Sequence, residues 1–165
     1  MSVKFKGTPT SLSGKQINVG EDAPEVILVG KDLNEVKVGG AKGKYQIINV
    51  VPSLDTGVCA TQTRKFNEKA ASLPNASVFV VSVDLPFAQG RFCSAEGIEN
   101  LVVASDFRNK SFGQNYGVLL AGSPLEGVLT RAVFVVDPSG KIVYKEICEE
   151  ITQEPDYNKP LEVIK

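Results

Sequence analysis

Apolar and polar positions fall into short segments whose period changes along the chain. Tyr45 to Val51 is nearly all apolar and β-branched, the pattern of a strand buried on both faces in the middle of a sheet. Val78 to Val83 repeats that pattern, and Asn100 to Ala104 is a weaker version of it. Ala132 to Val136 and Lys141 to Ile147 read as a hairpin around Asp137-Pro138-Ser139-Gly140. Val26 to Val29 and Glu35 to Val38 are shorter strand candidates, split by turn chemistry at Gly30-Lys31-Asp32. Between the first two buried runs the period becomes helical. Cys59, Phe66, Ala70 and Leu73 share one face, Arg64, Lys65, Glu68 and Lys69 the other, and Leu73-Pro74-Asn75 ends the helix. Phe87 to Glu96 predicts a second, short helix and Tyr157 to Ile164 a last one. At the N-terminus, Val3 to Lys6 and Lys15 to Asn18 predict a hairpin, joined by a stretch rich in Gly, Pro, Ser and Thr, that sits as a lid on the core.

This succession of strand, helix, strand, helix and final hairpin predicts an α/β fold: a central mixed β-sheet with helices on its faces, in a single domain over residues 1–165. With 165 residues, 42% of them hydrophobic, the chain can bury a core without disulfides or metals to hold it together. Eighteen basic against nineteen acidic side chains give a net charge of -1, which supplies no field favouring nucleic acid or an anionic membrane. No signal-peptide core and no apolar window of membrane-spanning length occurs, so a soluble, cytoplasmic protein is expected.

The candidate chemistry rests on three cysteines, at 59, 93 and 148, an odd count with wide spacings unlike the framework of a small secreted domain. A disulfide formed from them reads as catalytic and not structural. The absence of histidine removes Cys-His and Ser-His-Asp nucleophiles and most catalytic zinc sites, and no cofactor, phosphate loop or dinucleotide fingerprint is indicated. Cys148 lies among Glu146, Glu149 and Glu150, where negative charge raises a thiol pKa, and it reads as non-catalytic.

Cys59 is in the first turn of its helix, with Asp55 or Thr56 as N-cap, where unpaired N–H groups and the macrodipole favour thiolate over thiol. Gly57 lets a small reactant approach the loop backbone. A buried, inert hydrophobe on the apolar face fits the same pattern, so the residues alone leave both readings open. Arg131, just before an apolar strand, reads by itself as a surface cation, and Arg64 as part of a solvated face paired with Glu68 at i+4.

Pro52-x-x-x-Thr56-x-x-Cys59 resembles the active-site signature of the peroxiredoxins. The longer run Pro52-Ser-Leu-Asp-Thr-Gly-Val-Cys-Ala-Thr-Gln-Thr-Arg-Lys-Phe66 is similar to the bacterial thiol peroxidase subfamily. The likeness continues through Ser82-Val-Asp-Leu-Pro-Phe-Ala-Gln-Gly-Arg-Phe-Cys93, Lys110-Ser-Phe-Gly113 and Thr130-Arg-Ala-Val-Phe-Val-Val-Asp137, and so covers nearly the whole chain.

That resemblance implies a thioredoxin-like fold and a peroxidase cycle. Cys59 would be the peroxidatic cysteine and Cys93, 34 residues later, the resolving one, closing an intramolecular Cys59–Cys93 disulfide. Thr56 and Arg131 would hold the hydroperoxide and stabilise the thiolate, with Pro52, Gly57 and Val58 lining the substrate pocket. Thioredoxin is the implied reductant and a homodimer the implied assembly. Disulfide geometry requires Cα atoms within roughly 7 Å, which helix-held cysteines on different elements need not satisfy in the reduced state, so local unwinding of one or both segments is expected. The apolar run Tyr116 to Leu120 is a candidate pocket wall. A disulfide reductase would place a Cys-x-x-Cys where Cys59 is followed by Ala60-Thr61-Gln62, and a scaffold with three core cysteines would be insensitive to peroxide.

Overall fold

Ile47 and Ile48 are both fully buried yet belong to different clusters, because successive strand residues face opposite sides of a sheet that is covered on both. The computed structural model describes residues 1–165. In chain order the elements are β1 (Ser2–Phe5), β2 (Thr8–Ser13), β3 (Val26–Gly30), β4 (Glu35–Val38), β5 (Tyr45–Val50), α1 (Gly57–Ala70), β6 (Ala76–Ser82), α2 (Pro86–Glu96), β7 (Val102–Ser105), α3 (Ser111–Tyr116), β8 (Leu119–Ala121), β9 (Ala132–Val136), β10 (Ile142–Ile147) and α4 (Lys159–Glu162).

Seven strands form the central sheet in the order β10-β9-β5-β6-β7-β3-β4. The β5–β6 and β6–β7 pairs are parallel and the others antiparallel, which makes the sheet mixed. β5 lies between β9 and β6, the position its largely apolar run predicts, and its two buried polar residues are satisfied, Gln46 by Gly39 and Gly40 and Asn49 by the Phe79 carbonyl. On one face Ile47, Val78, Val133 and Val135 meet Phe66 of α1, with the half-buried Tyr157 just before α4 and Leu161 within it. On the other, Ile48, Val50, Phe79, Val81 and Phe134 meet Phe112 and Tyr116 of α3, which stack with ring centroids 4.2 Å apart. Burying a side chain the size of Phe66 contributes about 3 kcal/mol at the upper end.

The N-terminal hairpin is present, but its second strand is Thr8–Ser13 and not Lys15 to Asn18, which is irregular. Thr8-Pro9-Thr10-Ser11 has turn composition, yet it pairs with β1, and β2 then continues against β8. β8 covers only Ser11 to Ser13, so the missing N–H of Pro9 lies where just one side of the strand is paired. The hairpin is tied to the chain after β10, where Lys4 N–H donates to the Glu149 carbonyl at 2.7 Å and Ile151 N–H to the Lys4 carbonyl at 2.8 Å.

β7 begins two residues later than Asn100, and the last helix shrinks to Lys159–Glu162. α3 and β8 were not legible in the pattern. Tyr116, Val118 and Leu120 are core residues, Tyr116 and Val118 packing in the main cluster and Leu120 under the N-terminal hairpin, so this run is not a pocket wall.

Candidate active site

The site forms where β5 runs out of the sheet. Val50 pairs with Ala132, so the loop leaving β5 and the residue entering β9 emerge side by side, and that brings Cys59 and Arg131 together across 72 residues of sequence. The loop carries Pro52, which is buried, and then the exposed Asp55, Thr56 and Gly57. Val58 is half-buried and Cys59 fully buried.

Thr56 occupies the N-cap position of α1 with extended backbone, but its side chain does not cap. Its hydroxyl donates to the Ser53 carbonyl at 3.1 Å, and the first N–H with an acceptor is that of Ala60, bonded to the Thr56 carbonyl at 2.9 Å. The opening N–H groups of the helix, up to that of Cys59 itself, are the orphan donors every helix start carries. A methyl group at Gly57 would meet nothing within 4 Å, so the chain is uncrowded on that side of the helix start.

Arg131 is 2% exposed, against the expectation its charge alone would set. Its guanidinium is fixed by three bonds: Nε to the Ile151 carbonyl at 2.7 Å, Nη1 to Gln62 Oε1 at 2.9 Å, and Nη2 to Cys59 Sγ at 3.2 Å. The salt bridges join Arg64 to Glu96, Lys65 to Glu154 and Lys141 to Asp22, so no carboxylate lies within 4 Å of Arg131. A guanidinium stays charged, and a buried cation without an acidic partner is costly unless something nearby answers it.

Gln62 was not singled out by sequence reasoning. One turn after Cys59 and fully buried, it holds Arg131 with its oxygen, while its amide nitrogen points to Asn49 Oδ1 at 3.5 Å. A glutamine on the apolar face of an amphipathic helix was the available signal, since a buried polar group there needs a partner. Arg64 lies outside the site as expected, but it pairs with Glu96 at 3.3 Å and not with Glu68, joining α1 to the end of α2.

Cys93 is on α2, whose buried residues are only Pro86, Gln89 and Cys93 and which ends at Gly97 in the left-handed conformation. Cys93 and Cys59 belong to one small apolar cluster with Val51, Leu54, Val80, Ile98 and Val103, and both thiols are free. Burial raises the Cys93 thiol above its ordinary range, with Lys31 pulling weakly the other way. Between the active-site loop and α2 lies a cleft of about 530 Å³ lined by Ser53, Leu54, Asp84, Ala88, Phe92 and Glu96 among others. Cys148, also buried, is pushed up to about 12, first by burial and then by Glu146, against an opposing pull from Arg131. No helix is long and apolar enough to cross a membrane.

Residues 18–161 match the model of the Redoxin family. A thiol peroxidase of Campylobacter jejuni is 59% identical over 157 residues, 95% of this chain and 89% of that one. The crystal structure of a peroxiredoxin-like protein from Aquifex aeolicus superposes with a TM-score of 0.94 at 50% identity, covering 99% of this chain and 97% of that one. A thiol peroxidase from Chromobacterium violaceum shares the fold, with a TM-score of 0.88 at 20% identity over 99% of this chain and 94% of that one. A helix-starting cysteine beside a buried arginine on a thioredoxin-like sheet, found in such company, defines the class: a peroxiredoxin-type, thiol-dependent peroxidase. The chain belongs to the Redoxin family.

Proposed function

We propose that Cys59 is the peroxidatic and Cys93 the resolving cysteine of one thioredoxin-like domain that reduces hydrogen peroxide and organic hydroperoxides to water and alcohols. The observation that carries this reading is the buried Arg131 guanidinium, bonded to Cys59 Sγ at 3.2 Å and lacking a carboxylate partner. Its counter-ion is the Cys59 thiolate, so the charge that makes the sulfur a nucleophile also satisfies the cation.

Peroxide reduction needs more than a thiolate, because the O–O bond must line up with sulfur and charge developing on the leaving oxygen must meet fixed donors. Arg131 and the orphan N–H groups of α1 are such donors. Thr56, having given its hydroxyl proton to Ser53, keeps oxygen lone pairs free to accept the O–H of the incoming hydroperoxide. Pro52 excludes water by packing. The thiolate sulfur attacks the terminal oxygen, which keeps its hydrogen, and the O–O bond breaks; the leaving oxygen takes a proton from solvent and departs as water or alcohol, leaving Cys59 as sulfenic acid.

Cys93 then attacks the sulfenic sulfur. The S–S bond forms, hydroxide leaves and takes the thiol proton as water, and Cys59 is protected from further oxidation to sulfinic acid. α2 has the build of a helix that can unwind for this step, being short, carrying Gly90 in its middle and burying little apolar surface. Thioredoxin returns the disulfide to two thiols by exchange, in the cytoplasm. The exposed Leu85 and Phe87, 51% and 68% accessible, are the apolar surface beside the loop on which a homodimer would close.

Peroxide consumption by the reduced protein, sustained by thioredoxin, thioredoxin reductase and NADPH, tests this reading. Cys59→Ser is expected to abolish turnover, and Cys93→Ser to allow one oxidation and then inactivate. Turnover that survives Cys59→Ser contradicts it.

A further inference from the structure

Asp84 lies between β6 and α2 and is not a cysteine, a donor to sulfur or a substrate ligand. Its carboxylate nevertheless takes three hydrogen bonds. Oδ1 accepts from Ser53 Oγ at 2.7 Å, and Oδ2 accepts from Leu54 N–H at 2.8 Å and from Ser82 Oγ at 2.7 Å. Its carbonyl is held in turn by Ser105 Oγ at 2.5 Å. Ser53 and Leu54 belong to the loop that delivers Thr56 and Cys59, and Ser53 also supplies the carbonyl that holds the Thr56 hydroxyl.

On its other side the network enters the helix of the second cysteine. Ser82 Oγ accepts from Gln89 Nε2 at 3.0 Å, and Gln89 also donates to the Ala104 carbonyl at 3.0 Å. Gln89 is fully buried and lies one turn before Cys93 on α2. A carboxylate only accepts, so the Ser82 hydroxyl hydrogen points to Asp84 while its oxygen accepts from the Gln89 amide, which fixes the direction of the whole chain of bonds.

We infer that Asp84 is a positioning residue that locks the peroxidatic loop and the resolving helix to the same point of the sheet, so that one hydrogen-bond network sets both the peroxide step and the release of Cys93. The inference rests on the peroxidatic and resolving roles proposed above. With the network intact, Thr56 and the start of α1 are aligned for peroxide while Cys93 is held in α2. Breaking the Gln89 arm frees the helix without disturbing the loop. The helix is poised for that, because Gln89 Oε1 is buried with no partner, an unsatisfied group that offsets part of the docking it provides. The cleft of about 530 Å³ beside Asp84 gives the unwound segment room to move.

Asparagine at position 84 keeps the shape but removes the charge and turns one of the two acceptor oxygens into a donor, so it can accept from at most two of the three donors and forces one serine hydroxyl to reverse its hydrogen bond. The chain has no tryptophan, so rapid-quench alkylation with mass spectrometry reads the two steps separately: loss of Cys59 thiol, then appearance of the Cys59–Cys93 disulfide. Asp84→Asn is expected to slow the first step roughly tenfold or more, since an ångström of misalignment at a reacting centre costs up to about a hundredfold. Gln89→Met is expected to speed the second step at least about threefold and to leave the first within about twofold. Ser53→Ala, which keeps the carboxylate and removes one loop arm, slows the first step in the same sense and serves if Asp84→Asn does not fold. A first step slowed less than about fivefold in folded Asp84→Asn, or in Ser53→Ala where that variant replaces it, overturns the inference, as does unchanged disulfide closure in Gln89→Met. A parent protein that forms no Cys59–Cys93 disulfide overturns the proposed function instead, whatever the variants do.

Discussion

Arg131 Nη2 lies 3.2 Å from Cys59 Sγ, in a site where the arginine is 2% exposed and the cysteine wholly buried. The guanidinium reaches the sulfur, Gln62 and the Ile151 carbonyl at once because its N–H groups fan out in one rigid plane, a geometry lysine does not have.

Replacing Arg131 with lysine therefore keeps the charge and loses the fork. The variant is expected to react with hydrogen peroxide about a hundred- to a thousandfold more slowly, the usual cost of losing one fixed donor to developing negative charge. Rapid-quench measurement of Cys59 oxidation checks it, and a rate within tenfold of the parent's would show that a nearby cation suffices.

Gln62→Met removes the side-chain acceptor that orients Arg131 and fills the same space. Cys59 oxidation is expected to fall between about ten- and a hundredfold with the fold intact, since the donor is still present but no longer aimed. A circular dichroism melt alongside the kinetic trace separates loss of alignment from loss of structure.

The three thiols are expected to differ in reactivity in the reduced protein. With Cys148 pushed up to about 12, its thiolate fraction at pH 7.5 is roughly three orders of magnitude below that of an ordinary cysteine. Iodoacetamide should label Cys59 first, Cys93 slowly and Cys148 last, as read by peptide mass spectrometry over time.

Much of this arrangement was legible in the sequence, for physical reasons. β5, β6, β9 and α1 declare themselves because a strand buried on both faces is largely apolar and an amphipathic helix repeats near 3.6 residues, and Cys59 is placed by the turn chemistry that starts α1. Arg131 is different: its burial follows from β9 lying beside β5, a pairing that no local pattern encodes, and only the family resemblance pointed to it. Gln62 and Asp84 bond to partners 69 and 30 residues away: a glutamine on the apolar face of α1 signals that a partner exists but not which one, and Asp84, in a loop between a strand and a helix, carries no local signal. β2 was misplaced because Thr8 to Ser13 reads as a turn until β1 and β8 supply its neighbours.

Glu150 ties the N-terminal hairpin to the chain after β10. It accepts from Gly7 N–H at 2.8 Å and from Thr152 N–H at 3.0 Å and hydroxyl at 2.8 Å. Backbone donors, Thr152 first, hold its carboxyl down from 4.5 to about 2. A carboxylate lowered on folding stabilises the folded state above its unfolded pKa, and that contribution is lost as pH falls towards the folded value. Docking of the hairpin is therefore expected to weaken between pH 4.5 and about 2, and Glu150→Gln to remove the pH dependence in that window. Hydrogen exchange at the Gly7 and Thr152 amides across this range checks it.

The central claim is that peroxide chemistry begins at Cys59 and ends in a bond to Cys93. One equivalent of hydrogen peroxide added to fully reduced protein, followed by disulfide mapping of its peptides, tests this most directly. The expected product is a Cys59–Cys93 disulfide that is absent from Cys59→Ser, with Cys148 left as a thiol. Three unchanged thiols, or a disulfide that includes Cys148, would contradict it.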